Sequence, residues 1–344
     1  MAASRQYEVE RKYDVAPDGG DVPDLGGLPG VARVAPAEEL DQVARYLDTD
    51  RLSLLAARIT LRRRVGGADD GWHLKLPAGQ GRREEIHVPL ADPADPDEPV
   101  PAELVAQVRA LARDRPLAVS AELRTRRSVT RLLDADGRVL AELCDDRVEA
   151  HTTHGGAETE RWREWELELV DGPPELLDAA EPLLLAAGAR PSTSASKLAR
   201  VLAEALPATG AWRSAGPVGE GASAAEVRTG YPAEHVRRLM EEDRELRTGD
   251  HESVHQLRIA ARRLRSALAS YTPVLDPEQT RALRDELRWL GGVLAQARDA
   301  QVIRERLLGL VDEQPDVLVL GPVARRIDDE LRRAFVDGRA AAEE

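Results

Sequence analysis

Apolar and polar residues alternate along much of the first two hundred positions of the chain. Successive side chains of a β-strand point to opposite faces of a sheet, so a period of two predicts half-buried strands. Turn sequences such as Asp134-Ala135-Asp136-Gly137 separate several of these segments and predict hairpins. The strands are predicted at 7–13, 58–65, 72–76, 86–90, 121–130, 139–145 and 162–170.

Helical spacing marks the rest of the chain. Two helices are predicted among the strands, at 101–113 and 174–187, and four follow at 226–246, 255–271, 277–309 and 322–342, the first of them broken at Gly230-Tyr231-Pro232. Residues 205–222 are rich in Pro, Gly, Ala and Ser and predict a flexible linker. The fold class is therefore α+β: an antiparallel β-rich domain at 1–204, and an all-α helical domain at 223–344.

Length and charge restrict the classes of protein that fit this chain. Its 344 residues suffice for two domains, and the net charge of -14 argues against nonspecific binding to nucleic acid or to anionic lipid. No apolar run approaches the roughly 20 residues that span a bilayer, and the N-terminus lacks the apolar stretch of a signal peptide. We expect a cytoplasmic protein with neither membrane nor nucleic-acid partners, in which Cys144 is a buried small hydrophobe.

Lysine is rare in this arginine-rich chain. Of 48 basic residues only Lys12, Lys75 and Lys197 are lysines, and each lies in a charged sequence pattern. Lysine carries a compact ammonium whose proton affinity can be moved, whereas arginine carries a planar guanidinium that stays protonated. The three lysines therefore point to a chemical site.

Several predicted strands have one strongly charged face. Parity places like charges side by side at i and i+2: Glu8 with Glu10 and then Lys12, Arg62 with Arg64, Arg124 with Arg126, and Glu166 with Glu168. Such pairs repel unless other strands or bound ions neutralise them. If the sheet closes with these faces inward, its interior holds acids for hard divalent cations and basic groups for phosphate oxygens. A solvated outer face is the alternative for any one strand.

Six motifs in order resemble the CYTH superfamily, the triphosphate tunnel metalloenzymes, which include class IV adenylate cyclases, thiamine triphosphatases and inorganic triphosphatases. The motifs are Glu8-x-Glu10-x-Lys12, Tyr46-Leu47-Asp48-Thr49, Leu61-Arg62-Arg63-Arg64, Gly71-Trp72-His73-Leu74-Lys75, Trp165-Glu166-Leu167-Glu168-Leu169 and Ser196-Lys197. The resemblance covers about the first 200 residues. It implies an eight-stranded antiparallel β-barrel around a tunnel that takes a triphosphate with Mg²⁺ or Mn²⁺.

The same resemblance implies roles for individual residues. Phosphate-binding residues would be Lys12, Arg62, Arg64, Lys75, Arg124, Arg126 and Lys197, and metal ligands would be Glu8, Glu10, Glu166 and Glu168. Tyr46 and Lys75 match a catalytic pair, in which Lys75 is a general base or orients the water; simple phosphate binding by Lys75 is the alternative. Glu142 and Asp146 are possible additions to the metal site, the inward residues among 82–85 stay open, and His73, His151 and His154 are expected to be noncatalytic.

A basic face is predicted on the helix at 255–271. His255, Arg258, Arg262 and Arg265 fall within an arc of roughly 80°, with Arg263 on the flank, and no carboxylate occurs from 255 to 273. The missing intrahelical acids favour a partner that is external or on another helix. This segment resembles the first half of CHAD domains, which implies binding of inorganic polyphosphate. A missing second half would leave an apolar face open to dimerisation.

These observations predict a divalent-metal-dependent triphosphatase that hydrolyses inorganic tripolyphosphate and binds polyphosphate through its helical domain. A thiamine triphosphatase is one alternative, and a noncatalytic polyphosphate-binding or targeting protein is another. An adenylate cyclase is less favoured because no purine pocket is evident in the sequence. An unrelated acidic scaffold would require every charged strand face to be coincidental.

Overall fold

A computed structural model describes residues 3–78, 82–92, 95–154, 159–206, 224–248, 253–271 and 275–343. These residues belong to two compact units, Met1–Gly210 and Ala211–Glu344. Most of the linker predicted at 205–222 lies outside the described residues, which end at 206 and resume at 224. None of the described helices has the length and apolar character needed to traverse a bilayer.

Strands dominate the first unit. The strands are β1 (Ser4–Glu8), β2 (Glu10–Val15), β3 (Arg33–Val34), β4 (Glu38–Asp48), β5 (Thr60–Val65), β6 (Gly71–Pro77), β7 (Arg83–Pro89), β8 (Ala118–Leu133), β9 (Val139–Thr152), β10 (Thr159–Leu169) and β11 (Arg190–Pro191). The helices of this unit are α1 (Ser53–Ala56), α2 (Ala102–Ala112), α3 (Glu175–Ala186) and α4 (Lys197–Leu202). The second unit contains α5 (Ala224–Thr248), α6 (Ser253–Ser270), α7 (Pro277–Asp312) and α8 (Val323–Glu343).

The strands form one antiparallel sheet that curls round on itself. Its order is β1-β7-β6-β5-β4-β8-β9-β10-β2-β11, and β3 pairs with β8. β1 and β2 are two halves of one extended segment, separated at Val9; β1 pairs with β7 while β2 pairs with β10. Because one segment pairs near both ends of the order, the sheet curls until its ends meet. That segment and the seven strands β4 to β10 give the eight long strands predicted, and the α+β fold class is confirmed.

Two helices cover the outer face of the sheet, where the apolar parity of the strands points. Trp72 and Leu74 of β6 pack in a buried cluster with Leu104 of α2. Tyr13 of β2 and Trp165 of β10 belong to a second buried cluster that includes α3. Burying these large side chains contributes roughly 1.5 to 3 kcal/mol each, so the outer layer supplies much of the stability.

A third apolar cluster lies on the inner face. Tyr46 of β4 and Trp162 of β10 pack there with Leu198 and Leu202 of α4. The helix thereby buries its apolar side while its first residue, Lys197, stays beside the charged part of the interior. The inner face is therefore divided between an apolar region and a charged region.

β4 and α5 differ from the sequence-based expectation. β4 was not predicted, because Leu40, Val43 and Leu47 have the spacing of a helix face even though the segment forms a strand. Its inner side carries Tyr46.

The break predicted at 230–232 is wrong. Helix α5 continues through Pro232 and forgoes the backbone hydrogen bond that proline cannot donate.

Helices α5 to α8 are near the predicted bounds and share their own core. Leu257 of α6, Leu294 of α7 and Phe335 of α8 are buried in one cluster. Leu264 and Leu287 belong to a second cluster between α6 and α7. The apolar side of α6 is thus used in packing, which leaves its other side for polar residues.

Gly66, which follows β5, is held in a conformation that a side chain would not tolerate. Its φ is +97°, and a Cβ there would overlap the carbonyl oxygen of Asp41. We expect Gly66→Ala to lower the free energy of unfolding by on the order of 3 kcal/mol, because steric overlap adds to the left-handed backbone penalty. Urea denaturation measures this change.

Gly137→Ala is the matched control. Gly137 also has a positive φ, of +83°, but a Cβ there meets no atom within 4 Å. It should cost only about 1 to 2 kcal/mol. Equal losses in the two variants would show that the contact with Asp41 has no part in the effect.

Candidate active site

The inner face of the sheet encloses a cavity of about 550 Å³, here called the tunnel cavity. Its lining is mostly charged and draws on nearly every strand. The charged lining residues are Glu8, Glu10, Lys12, Arg62, Arg64, Asp69, Lys75, Arg83, Glu85, Arg127, Glu142, Glu166, Glu168, Asp171 and Lys197. The charged inner faces of these strands therefore line one and the same cavity.

Lys197 is bound by three carboxylates at the start of α4. The Ser196 hydroxyl caps this helix by accepting from the amide of Ala199 at 3.0 Å, which fixes the lysine in the first turn. Its Nζ contacts three carboxylates: Asp146 at 2.8 Å, Glu164 at 2.7 Å and Glu166 at 2.7 Å. Burial opposes the charge, yet these acids raise the pKa of Lys197 well above its ordinary value. The ammonium is a fixed positive charge in the wall.

Glu166 is the carboxylate with the most cationic neighbours. It contacts Lys12 of β2 as well as Lys197, and Arg127 of β8 donates to it at 2.7 Å. Burial disfavours its ionised form, but these three cations hold the pKa of Glu166 well below the ordinary range. Arg127 also forms two hydrogen bonds to Asp146, at 2.7 and 2.6 Å. This network ties β2, β8, β9 and α4 together.

Lys75 and Glu8 form a second ion pair in the tunnel cavity, with Nζ and Oε2 2.6 Å apart. Burial and the neighbouring carboxylate of Glu85 raise the pKa of Glu8 to about 8, although Lys75 opposes the rise. Burial and nearby acids also raise the pKa of Glu168. Burial and neighbouring acids both disfavour the ionised form of these two carboxyl groups, so an added cation would be favoured beside them.

Tyr46 and Lys75, the predicted catalytic pair, both line the tunnel cavity but have different partners. The hydroxyl of Tyr46 accepts from Arg62 at 3.2 Å, whereas Lys75 contacts Glu8. Burial alone would raise the pKa of Tyr46. The positive charge of Arg62, with smaller effects of Lys197 and Lys75, outweighs burial, so the pKa is lowered. Tyr46 is therefore an acidic phenol beside a guanidinium.

The structure does not bring Arg124 and Arg126 into the tunnel cavity. Their side chains are 65% and 70% exposed, and they line a separate groove on the outer face. Their neighbour Arg127 points inward. The expectation chose the wrong parity because arginines occupy both faces of β8 at 124–127. The other five residues predicted to bind phosphate, and all four predicted metal ligands, line the cavity.

Sequence reasoning missed several residues of the site. Arg83 and Glu85 face inward, whereas Glu84 pairs with Arg5 outside. Both parities at 82–85 are charged, so only the register with β6, in which Glu85 stands opposite Lys75, selects the inner pair. Arg127 had a signal that went unused, since it shares a strand face with the buried Leu123 and Val129.

The carboxylates fit a hard divalent cation. Asp146, Glu164 and Glu166 each bring one oxygen within 4.8 Å of the others. Carboxylate oxygens are the donors that Mg²⁺ and Mn²⁺ prefer. An ion at this cluster has to compete with the ammonium of Lys197, whereas Glu8 and Glu168 have raised pKa values and would gain from added positive charge.

α6 of the second unit carries the predicted polyphosphate-binding residues. Arg262 and Arg263 are exposed, and His255, Arg258 and Arg265 are half-buried. Arg258 donates to the carbonyl of Gly291 at 3.2 Å. Within the described part of the second unit, no carboxylate forms an ion pair with these five side chains. The helix therefore presents basic groups with which the described carboxylates of its own unit form no ion pair.

Replacement of Lys197 tests the buried charge cluster. Lys197→Met leaves three carboxylates without their shared cation, and we expect the free energy of unfolding to fall by about 3 kcal/mol. Millimolar Mn²⁺ should raise the melting temperature of this variant more than that of the unaltered protein, because the carboxylates then meet no competing ammonium.

Arg200→Met is the control for this variant. Arg200 lies on the same helix in partly exposed pairs with Asp14 and Glu160, so it should cost about 1 kcal/mol or less and show no added response to Mn²⁺. If Mn²⁺ shifts both variants equally, the three carboxylates are not the responding site.

Comparisons with known proteins agree with this geometry. Residues 6–201 match the model of the CYTH domain, and residues 231–344 match the model of the CHAD domain. Two uncharacterized proteins of Mycobacterium tuberculosis, MT2285 and Rv2226, are each 39% identical to the chain. Each alignment extends over 353 residues and covers 97% of the chain. The chain spans 66% of the length of these relatives.

Two solved structures show a more distant likeness. A protein of Bacillus halodurans named as a candidate adenylate cyclase is 17% identical, over 57% of this chain and 97% of its own, with a TM-score of 0.35. A candidate adenylyl cyclase from Hippeastrum, described as having a dominant triphosphatase activity, is 18% identical over 59% of this chain and 98% of its own, also with a TM-score of 0.35. The extent of the family match decides the assignment: the chain belongs to the CYTH family, and a CHAD domain follows its CYTH domain.

Proposed function

We propose that the chain is a divalent-metal-dependent triphosphatase that hydrolyses inorganic tripolyphosphate, and that its helical domain, 223–344, binds inorganic polyphosphate. The observation that carries the proposal is the lining of the tunnel cavity, where basic and acidic side chains from eight strands face one another. Basic groups alone would suit any anion. Acids beside them suit an anion that arrives with a metal ion, as a triphosphate does.

The basic side chains would grip the phosphate oxygens. Lys12, Arg62, Arg64, Lys75 and Lys197 line the cavity, and we assign to Arg127, which also lines it, the role first given to Arg124 and Arg126. Several of these basic groups form ion pairs with carboxylates. When a triphosphate binds with its metal, the basic groups would bind phosphate oxygens instead, and the carboxylates would bind the metal. Phosphoryl transfer requires mainly positioning and neutralisation of charge, which such a lining supplies.

Four carboxylates would hold the metal: Glu8, Glu10, Glu166 and Glu168. A bound divalent cation would polarise the phosphate and lower the pKa of a coordinated water. Water attacks the terminal phosphorus, the bond to the bridging oxygen breaks, and orthophosphate and diphosphate leave. Tyr46 and Arg62, 3.2 Å apart, are placed to stabilise negative charge on a phosphate oxygen, and Lys75 to orient the water or bind phosphate.

The chemistry of the lining favours an inorganic substrate. Among its lining residues the apolar or aromatic side chains are few: Tyr7, Tyr46, Leu169 and Val170. Binding of a nucleobase or a thiamine ring usually relies on apolar and aromatic surface. Thiamine triphosphate remains the second candidate because Tyr46, beside Arg62, gives the inner face of the sheet one aromatic ring at the cavity.

Phosphate release from tripolyphosphate, thiamine triphosphate and ATP tests the proposal directly, with Mg²⁺, Mn²⁺ or EDTA in parallel. We expect turnover of tripolyphosphate that EDTA abolishes. Preference for thiamine triphosphate would select the second candidate. Binding of tripolyphosphate without turnover would instead indicate a noncatalytic polyphosphate-binding protein.

Two adjacent arginines supply matched variants for this assay. Arg127→Ala removes an inward guanidinium and should lower kcat/KM by on the order of 100-fold. Arg126→Ala removes an outward one, 70% exposed, and should leave turnover unchanged. Equal effects of both variants would contradict the placement of the substrate inside the sheet.

Polyphosphate binding by the helical domain is tested separately. Arg262 is exposed on α6, so Arg262→Ala should weaken binding of long-chain polyphosphate several-fold and reduce its salt dependence, while turnover of tripolyphosphate stays unchanged. Binding is measured by calorimetry at two salt concentrations. The control is Arg325→Ala on α8, whose exposed guanidinium has Asp329 as its ion-pair partner. Similar losses in both variants would mean that any surface arginine serves.

A further inference from the structure

His73 is a buried histidine with no place in the proposed chemistry. It lies on β6 with 1% of its surface exposed and is not among the residues that line the tunnel cavity. Its Nδ1 is 2.9 Å from Oε1 of Glu85, and its Nε2 is 3.0 Å from the backbone oxygen of Asp69. Both ring nitrogens are therefore used.

Both partners of His73 are acceptors. A carboxylate oxygen and a backbone carbonyl oxygen each accept a hydrogen bond, so a ring nitrogen that binds either of them does so through its own proton. The charged carboxylate is the stronger acceptor, so a proton on Nδ1 is the one that holds Glu85. The ring thus cannot rotate without losing a buried hydrogen bond.

Glu85 is held in turn at both of its oxygens. Oε1 is bound by His73, and Oε2 accepts from Nε2 of Gln6 at 3.1 Å. In this position Oε1 stands 3.8 Å from Nζ of Lys75 and 3.9 Å from Nη2 of Arg62. These distances exceed those of a direct hydrogen bond. The carboxylate is close enough to attract both cations, yet it does not bond tightly to either.

We propose that His73 is a positioning residue that holds the Glu85 carboxylate back from Lys75 and Arg62, so that Glu85 adds no close ion pair to the one that Lys75 already forms with Glu8. The inference rests on the proposed function. If the Nδ1 contact is lost, Oε1 can move toward the two cations, which lie 3.8 and 3.9 Å away. A close ion pair would then form that an incoming phosphate has to break.

The second contact of His73 is with Asp69, which also lines the tunnel cavity. Asp69 uses its carboxylate to pair with Arg64. One buried ring thus connects the wall that contains Glu85 with the turn beside Arg64. The two contacts can be separated, because asparagine places a donor near the position of Nδ1 and glutamine places one near that of Nε2.

The test compares His73→Asn with His73→Gln. We expect His73→Asn to keep the KM for tripolyphosphate within about twofold of the unaltered protein, because the donor to Glu85 is retained. His73→Gln should raise that KM on the order of tenfold with a smaller change in kcat, as expected for loss of a charge-assisted hydrogen bond that acts on binding. Equal KM values in the two variants would overturn the proposal.

His87→Asn is the matched control. His87 stands directly across from His73 on β7, with ring centroids 4.7 Å apart, and is no part of the lining of the tunnel cavity. This variant should leave the KM unchanged. Melting temperatures of all three variants separate a change in stability from a change in binding.

Crystal structures make the outcome independent of turnover. In His73→Gln the Glu85 carboxylate should lie within hydrogen-bond distance of Lys75 or Arg62; an unmoved Glu85 would overturn the proposal. If the unaltered protein neither binds nor hydrolyses tripolyphosphate, the proposed function fails, and the position of Glu85 still decides the role of His73.

Should His73→Gln not fold, NMR of the unaltered protein with ¹⁵N-labelled histidine replaces it. The proposal requires a slowly exchanging proton at Nδ1, the nitrogen that contacts Glu85. Rapid exchange at Nδ1 would overturn the proposal.

Discussion

Balance of charge inside the curled sheet is the constraint on which the rest of the first unit depends. Strand parity puts like charges next to one another on the same face, and the largely buried side chains are screened less than charges at the protein surface. Each charge therefore needs an opposite charge from another strand, as Glu166 has from Lys12, Arg127 and Lys197. A slip of one residue in any of these strands would expose apolar side chains and bury charges without partners. Register and site are consequently specified by the same residues.

The sequence predicts the face of a strand where one parity is charged and the other apolar. That condition holds for β2 and β10, whose inner charges were identified, and whose outer Tyr13 and Trp165 are buried under α3. It fails at β8, where arginines at 124, 126 and 127 occupy both parities, and at 82–85, where β7 begins. It also fails at β4, where apolar spacing imitates a helix. Pairs such as His73 with Glu85 depend on register between strands, which no single-strand pattern contains.

The three lysines illustrate why residue type matters here. In the structure Lys12 contacts two carboxylates and Lys197 contacts three, all with the ammonium largely buried. A small tetrahedral ammonium can point separate protons at several oxygens around it, whereas a planar guanidinium directs its donors within one plane. Arg127 instead uses both edges of its plane for Asp146 and Glu166. The rarity of lysine in this chain thus matches sites where three-dimensional donation is required.

The division of the first extended segment into β1 and β2 has a consequence for synthesis of the protein. β1 pairs with residues 83–87, but β2 pairs with residues 163–168, and Lys12 is 154 residues from Glu166. β2 is therefore synthesised well before β10 and β11, the two strands that complete its hydrogen bonds. Until β10 has emerged, β2 is a row of unpaired amides and carbonyls next to charged side chains, which resist pairing with other chains. The charges that line the finished site thus also reduce pairing of the nascent chain with other chains before β10 is made.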